Sequence, residues 1–285
     1  MTALPCLPPR LPESHKGDFG FVLMVGGSTG MTGAMALSGA AALRSGAGLV
    51  QIATPRACQP IVASFEPSYM TAPLEHDEAG RISLAARDQL SRLTEKATVV
   101  ACGPGLGRSD DLTELVGWLY TYLKQPAVFD ADALNALAKQ PETLKQAGGP
   151  RVLTPHPGEF QRLVGQNRRM PRDEAERRAA ELALQCGAVI VLKGHRTLIT
   201  DGHQQFHNST GNPGMATGGT GDVLTGVTAA LLAQKLSPLD AARLAVHLHG
   251  LAGDLAAAEL GQVSLIASDL LRHLPRAFQR HAGTS

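Results

Sequence analysis

Short apolar runs, glycine turns and small-residue or amphipathic stretches alternate along the first two thirds of the chain. Phe19 to Val25 is almost wholly apolar and of strand length, and Gly26-Gly-Ser-Thr-Gly30 leads from it into a predicted helix over Thr32 to Ser45. Strand, glycine turn and helix make an α/β unit. Gly33, Ala34, Ala36, Gly39, Ala40 and Ala41 leave that helix with a thin surface. Such a surface suits close packing on a sheet or room beside a ligand, and packing accounts for most of these positions.

The unit recurs. Gly48 to Thr54 is the next strand, followed by a polar interval and a helix over Leu84 to Thr94. Thr98 to Cys102 is a buried-type strand that ends in Gly103-Pro-Gly-Leu-Gly107, after which Asp110 or Asp111 can cap a helix reaching Leu123. Ala127 to Phe129 runs into Asp130-Ala-Asp-Ala-Leu-Asn135, and Val152 to Thr154 runs into Pro155-His-Pro-Gly-Glu159. A charged helix over Pro171 to Cys186 precedes the strand Ala188 to Leu192. Lys193-Gly-His-Arg-Thr197 then turns into Leu198 to Thr200, and Asp201-Gly202 with Gln205 to His207 reads as a hairpin. The last third is helical, over 222–234, 238–259 and 267–281. With no internal repeat, low-complexity segment or linker, one continuous α/β domain is expected. Open parallel sheets bind ligands beyond the carboxyl ends of their strands, and four such ends here carry glycines, acids or histidine. The candidate residues therefore converge.

Composition narrows the partner. A net charge of +1 gives no field that would favour nucleic acid or an anionic membrane, so a small molecule is expected instead. Cys6, Cys58, Cys102 and Cys186 are scattered without a C-x-x-C pair, against zinc and against a disulfide framework, and read as reduced cytosolic thiols. The proline-broken opening from Met1 to Pro12 lacks the apolar run of a signal peptide, and the apolar run within 223–233 is too short to span a bilayer.

The stretch from Asn208 to Asp222 carries the chemistry. Glycines at 211, 214, 218, 219 and 221 permit positive φ and close approach of a bound group, and an apolar helix starts at once. A glycine turn feeding a helix start leaves N–H groups pointing outward with the positive end of the dipole behind them, an anion cradle. Asp222 is either the cap of that helix or a base that takes a proton from an attacking hydroxyl. Neither G-x-x-x-x-G-K-[ST] nor a clean G-x-G-x-x-G between strand and helix is present, so another phosphate-binding solution is required. Gly218-Gly-Thr-Gly-Asp222 resembles the anion hole and catalytic aspartate of the ribokinase-like superfamily.

A closer resemblance rests on eight pieces standing in order: Ser14-His-Lys-Gly-Asp-Phe-Gly20, Gly26-Gly27, Ala42-Leu-Arg-Ser-Gly-Ala-Gly-Leu-Val50, Gly103 to Gly107, Asp130 to Asn135, Thr154-Pro-His-Pro-Gly-Glu159, Val191-Leu-Lys-Gly194 and Gly218 to Asp222. Over residues 14–275 the chain resembles the ADP-dependent NAD(P)H-hydrate dehydratases. The resemblance implies a ribokinase-like three-layer α/β/α sandwich with a mostly parallel central sheet. It implies one dehydratase domain over residues 14–285 with an extension over residues 1–13, and no room for the epimerase domain that many relatives carry. The activity it implies is repair of the S form of hydrated NADH or NADPH. ADP phosphorylates the ring hydroxyl with Mg²⁺ present, phosphate is eliminated, and AMP and phosphate are released.

Residue by residue, the resemblance places the nucleotide on Lys193, Gly194, His195, Arg196 and Thr197, with Gly221 touching its phosphate. It places the hydrated cofactor against Ala34, Gly105, His156 and Asp222, assigns the base to Asp222 and the anion hole to Gly219, Thr220 and Gly221. A solvated hairpin turn, a surface histidine and core packing are the plainer readings of Lys193–Thr197, of His156, and of Ala34 and Gly105. Asp132 reads as a helix cap, whereas Asp130 and Glu159 stay open between phosphate or magnesium contacts and helix-start roles, and the metal ligands stay unassigned. His247 and His249, two apart, point to different helix faces and are expected to be structural. The implied setting is a cytoplasmic homotetramer working with a separate NAD(P)H-hydrate epimerase. Two rivals remain: a kinase of the same superfamily acting on a thiazole or pyrimidine alcohol, disfavoured by Thr154–Glu159 and Ser14–Gly17, and a nucleotide sensor without turnover, which would need no Asp222. Preference for NADH-hydrate over NADPH-hydrate, and for ADP over ATP, is open at this stage.

Overall fold

The computed structural model describes residues 3–283. Its elements run β1 (Phe21–Val25), α1 (Thr32–Arg44), β2 (Leu49–Pro55), α2 (Gln59–Ala63), β3 (Met70–Leu74), α3 (Arg87–Thr94), β4 (Val99–Cys102), α4 (Asp110–Tyr122), β5 (Ala127–Phe129), α5 (Asp132–Ala138), β6 (Arg151–Leu153), α6 (Pro157–Leu163), α7 (Arg172–Cys186), β7 (Val189–Leu192), β8 (Leu198–Thr200), β9 (Gln205–His207), α8 (Thr220–Ala233), α9 (Pro238–Leu260) and α10 (Ala267–Ala282). The sheet order is β3-β2-β1-β4-β5-β6-β7-β8-β9. Every pair from β3 to β7 is parallel, and β8 and β9 close that edge as an antiparallel hairpin.

Because side chains alternate along a strand, each central strand feeds two cores. Val22 and Met24 join one with α1, α8, α9 and α10, while Leu23 and Val25 join the other with α3, α4, α5 and α7. The chain is thus a helix–sheet–helix sandwich, as the resemblance implies. Residues 223–233 of α8 are all buried, the mark of a helix walled in on every side. Its closest neighbour is α1: a Cβ on Gly226 would strike the Ser38 carbonyl and come 2.7 Å from the Ala41 Cβ. The small residues of α1 are therefore packing residues, and they bring α8 down onto the sheet.

Some elements depart from the sequence reading. The polar interval after β2 holds the short α2 and the edge strand β3, whose Pro73 withholds a ladder donor and is tolerated because it lies at a sheet edge. Helix α4 is capped by Ser109, not by Asp110 or Asp111; the Ser109 hydroxyl accepts from Leu112 N at 3.1 Å and Asp111 instead accepts from Leu84 N. Ahead of β1, Arg10 donates to the Gly46 carbonyl at 2.8 Å and its guanidinium lies over the Phe19 ring.

Candidate active site

The order β3-β2-β1-β4 reverses direction between β1 and β4, and the glycine loops after those two strands meet there. Gly27 N donates to the Pro104 carbonyl at 2.9 Å and Ser28 Oγ to the Gly105 carbonyl at 2.8 Å. Gly105 has φ +65°, and a Cβ on it would meet the Met31 carbonyl at 2.7 Å and the Ala34 Cβ at 3.1 Å. Ala34 and Gly105 thus stand side by side. Asp132 is not a cap: α5 has Ala131 before it and no capping bond, and the Asp132 carboxylate instead accepts from Gly107 N at 3.0 Å and holds this loop.

Across the mouth, His156 ends the β6 loop as the N-cap of α6. Its Nδ1 accepts from Gly158 N and Glu159 N, so the ring proton lies on Nε2, 3.2 Å from Glu159 Oε1. Glu159 in turn accepts from His156 N at 2.8 Å, a capping box built on histidine. Burial, then the positive Lys193 and Arg162, hold the His156 pKa below its ordinary value, so the ring is neutral though half exposed. Glu159 is the reverse: burial outweighs Lys193 and pushes its carboxyl up to about 7.

The turn Lys193–Thr197 divides in two. Gly194, His195 and Arg196 are exposed, and Thr197 Oγ1 closes the turn on Gly194. The Arg172 guanidinium of α7 anchors it by donating to the His195 and Arg196 carbonyls. Lys193 itself turns inward, against the reading of a solvated hairpin: Nζ lies 2.7 Å from Asp130 Oδ1 and 3.9 Å from Glu159 Oε2, with 18% of the side chain exposed. Burial opposes its charge, but Asp130 and Glu159 outweigh burial and raise its pKa.

Above this cluster stands the N-terminus of α8. Its N-cap is Gly219, at φ +89°, which has no side chain to cap the first N–H groups. Those of Gly219, Thr220 and Gly221 lie at this uncapped start, backed by the helix dipole. Asp222 sits three residues past the cap and makes no capping bond, so the cap reading is excluded. Burial, with Asp130 adding to it and Lys193 opposing, pushes its carboxyl up to about 7. His249, read as structural, donates Nε2–H to the Thr220 carbonyl at 2.9 Å and, with burial lowering its pKa to about 4, stays neutral beneath the cradle.

The strand-end loops and the start of α8 thus gather the candidate residues at one end of the sheet. Sequence reading missed Arg172, Thr225 and Ser28, which carry no motif: a charged helix face, a mid-helix threonine and a loop serine each read as ordinary positions. Among the described residues no three His, Cys, Asp or Glu side chains converge closely enough to hold a metal.

What gathers here, at the strand ends of a ribokinase-like fold, is an uncapped helix start beside a buried ammonium and its carboxylates. A family model described as NAD(P)H-hydrate dehydratase matches residues 22–276, and the chain belongs to that family. It is 48% identical over 271 residues to the bifunctional NAD(P)H-hydrate repair enzyme Nnr of Moorella thermoacetica, covering 94% of this chain and 51% of that protein. The Nnr protein of Escherichia coli is 39% identical over 272 residues, covering 95% and 50%. The chain therefore spans about half the length of the curated relatives it matches. Among solved structures, the ADP/ATP-dependent NAD(P)H-hydrate dehydratase of Bacillus subtilis, co-crystallised with ATP and Mg²⁺, superposes with a TM-score of 0.82 at 34% identity, covering 96% of this chain and 94% of that one. A hydroxyethylthiazole kinase from Pyrococcus horikoshii, at TM-score 0.65 and 19% identity, shares the fold alone.

Proposed function

We propose that this chain dehydrates the S form of hydrated NADH and NADPH with ADP as phosphoryl donor, releasing NAD(P)H, AMP and phosphate. The observation that carries the reading is Asp222, a carboxylate with no capping task, beside an uncapped helix start and a buried ammonium. Asp222 takes the proton of the ring hydroxyl as its oxygen attacks the β-phosphorus, and the N–H groups of Gly219, Thr220 and Gly221 hold the charge that develops. The ring nitrogen's lone pair then expels phosphate, and loss of a proton from the neighbouring ring carbon restores the double bond.

Lys193 to Thr197 and Gly221 bind the nucleotide; Ala34, Gly105, His156 and Asp222 face the hydrated cofactor. The exposed backbone of Gly194, His195 and Arg196 and the small surfaces of Ala34 and Gly105 support those assignments. The donor set fits Mg²⁺, which keeps several waters and takes one or two carboxylates beside substrate phosphates, so no closed protein cage is needed. Glu159 would hold it through water, where it would supply neutralisation of phosphate charge, while Asp130 keeps both oxygens on Lys193 and Thr225.

The same reading extends to a cytoplasmic homotetramer acting beside an NAD(P)H-hydrate epimerase. In support, all four cysteines are free, no described helix is long and apolar enough to cross a membrane, and Phe65, Val263 and Ile266 are exposed apolar side chains suited to contact between copies. The test is to mix purified protein with NADH-hydrate, Mg²⁺ and ADP or ATP and follow the reduced-nicotinamide absorbance. Faster recovery with ADP is expected. A stable phosphorylated alcohol in place of NADH would overturn the reading, and light scattering checks the four-chain assembly.

A further inference from the structure

Asp130 follows β5, is 1% exposed, and has both carboxylate oxygens engaged. Oδ1 accepts from Lys193 Nζ at 2.7 Å and Oδ2 from Thr225 Oγ1 at 2.6 Å. Thr225 is fully buried on α8, three residues beyond Asp222. Its hydroxyl has one proton and two acceptors within reach, Asp130 Oδ2 at 2.6 Å and the Gly221 carbonyl at 3.3 Å, and the shorter charge-assisted bond takes it. The Lys193 ammonium stands beneath the same helical turn, since a Cβ on Gly221 would lie 3.4 Å from Nζ.

Resting on the dehydratase reading above, we infer that Asp130 and Thr225 are positioning residues: they fix the Lys193 ammonium beside the cradle, where the transferred phosphoryl group must pass, and tie it to the helix that carries Asp222. A buried ion pair is a poor source of net stability, because desolvation cancels most of the attraction and an apolar pair of equal volume would serve as well. What the pair does provide is placement. A free lysine has four rotatable bonds and a point charge, so without a fixed counter-ion its ammonium would wander. Asp130 removes that freedom, and Thr225 removes the freedom of Asp130. The three groups come from the end of β5, the end of β7 and the second turn of α8, so the clamp crosses over β6 and sets the base and the cation in one frame. A preorganised charge of this kind costs no reorganisation when the phosphoryl group moves.

The test compares Thr225→Val, which keeps the shape and removes the donor, with Thr225→Ser, which keeps the donor, and with Asp130→Asn. In single-turnover reactions at saturating ADP the rate should fall about tenfold or more in Thr225→Val, the worth of one charge-assisted hydrogen bond. Affinity for AMP, measured by calorimetry, should fall less than in Lys193→Ala, because the ammonium is loosened and not removed, and Thr225→Ser should recover most of the rate. A second readout needs no substrate: reductive methylation of the Lys193 amine, followed by mass spectrometry. Lys193 should be methylated faster in Thr225→Val and Asp130→Asn than in the wild type, and at the wild-type pace in Thr225→Ser. A folded Thr225→Val enzyme with the wild-type rate overturns the inference. If the wild type itself does not turn over, the dehydratase reading falls, and labelling alone then decides the clamp: equal methylation across the set overturns it.

Discussion

Replacing Asp222 by asparagine removes one charge while nearly keeping size, and the burial of that charge governs the effect on both stability and rate. The wild-type carboxyl has been moved from 3.8 to about 7 by burial and by Asp130, so the folded state holds its proton more tightly than the unfolded chain does. Protonated Asp222 therefore contributes stability that is fully present below pH 3.8 and is lost as pH rises to about 7. At about 1.36 kcal/mol per tenfold change in proton affinity, the ceiling on that loss is about 4 kcal/mol. The asparagine side chain cannot ionise and loses nothing. The Asp222→Asn protein should accordingly melt several degrees above the wild type at pH 8, and the gap should close as the pH is lowered toward 4. Its turnover should collapse, because a positioned general base is worth about 10²- to 10⁴-fold. The measurement pairs thermal melts across pH with single-turnover conversion of NADH-hydrate at saturating ADP. A folded variant with near-normal turnover refutes the role of Asp222 as base. A melting difference that ignores pH refutes the burial of its charge.

Four further outcomes are expected. The wild-type single-turnover rate should rise with pH and level off above about 7, as Asp222 ionises, and a flat profile across that range would remove it from the chemical step. Lys193→Ala and Thr197→Ala should each weaken AMP binding in calorimetric titration with the fold intact; unchanged affinity in both would return the turn to a plain hairpin. Arg151→Met should lower stability by about 2 kcal/mol or more in urea unfolding, since that buried guanidinium serves the carbonyls of Tyr120, Leu123, Gln125 and Pro150, and while Gly148 N and Ala127 N still serve Tyr120 and Pro150, methionine takes the donor from Leu123 and Gln125. Gly226→Ala should slow turnover without touching any ligand, because the new methyl group pushes α8 off α1 and shifts Asp222 relative to Ala34; full activity would show that the approach of the two helices is not needed.

The fold was readable where its periodicity was clean. Runs such as Thr98–Cys102 and Ala188–Leu192, apolar on both faces, five residues long and rich in β-branched side chains, favour strands walled by helices, and they lie in the sheet as β4 and β7. Strand β3 escaped because Met70–Leu74 pairs on one side only, so nothing obliges it to be apolar throughout, and Pro73 argues against a strand until the edge position is known. Asp222 looked like a cap because sequence shows how many residues precede a helix but not which of them turns first. The helix starts two residues earlier than read, at Thr220, and that shift alone moves Asp222 from the cap into the first turn.

That these strand ends converge was legible, but the contacts within the charged cluster were not, for a different reason. Asp130, Glu159, Lys193 and Asp222 are separated by 29, 34 and 29 positions along the chain, and each alone has an ordinary surface or capping explanation. Only the parallel order β5-β6-β7, with α8 above, stacks their four attachment points at one end of the sheet. Once stacked, they are buried together: burial disfavours their charged forms, a single ammonium faces three carboxylates and cannot offset it, and Asp222 and Glu159 keep their protons up to about pH 7. A base poised there is ionised often enough to act and still attracts a proton strongly enough to take one from a hydroxyl. Asp222 by itself would be a weak base in water. The fold makes it a useful one by burying it and supplying too little positive charge beside it.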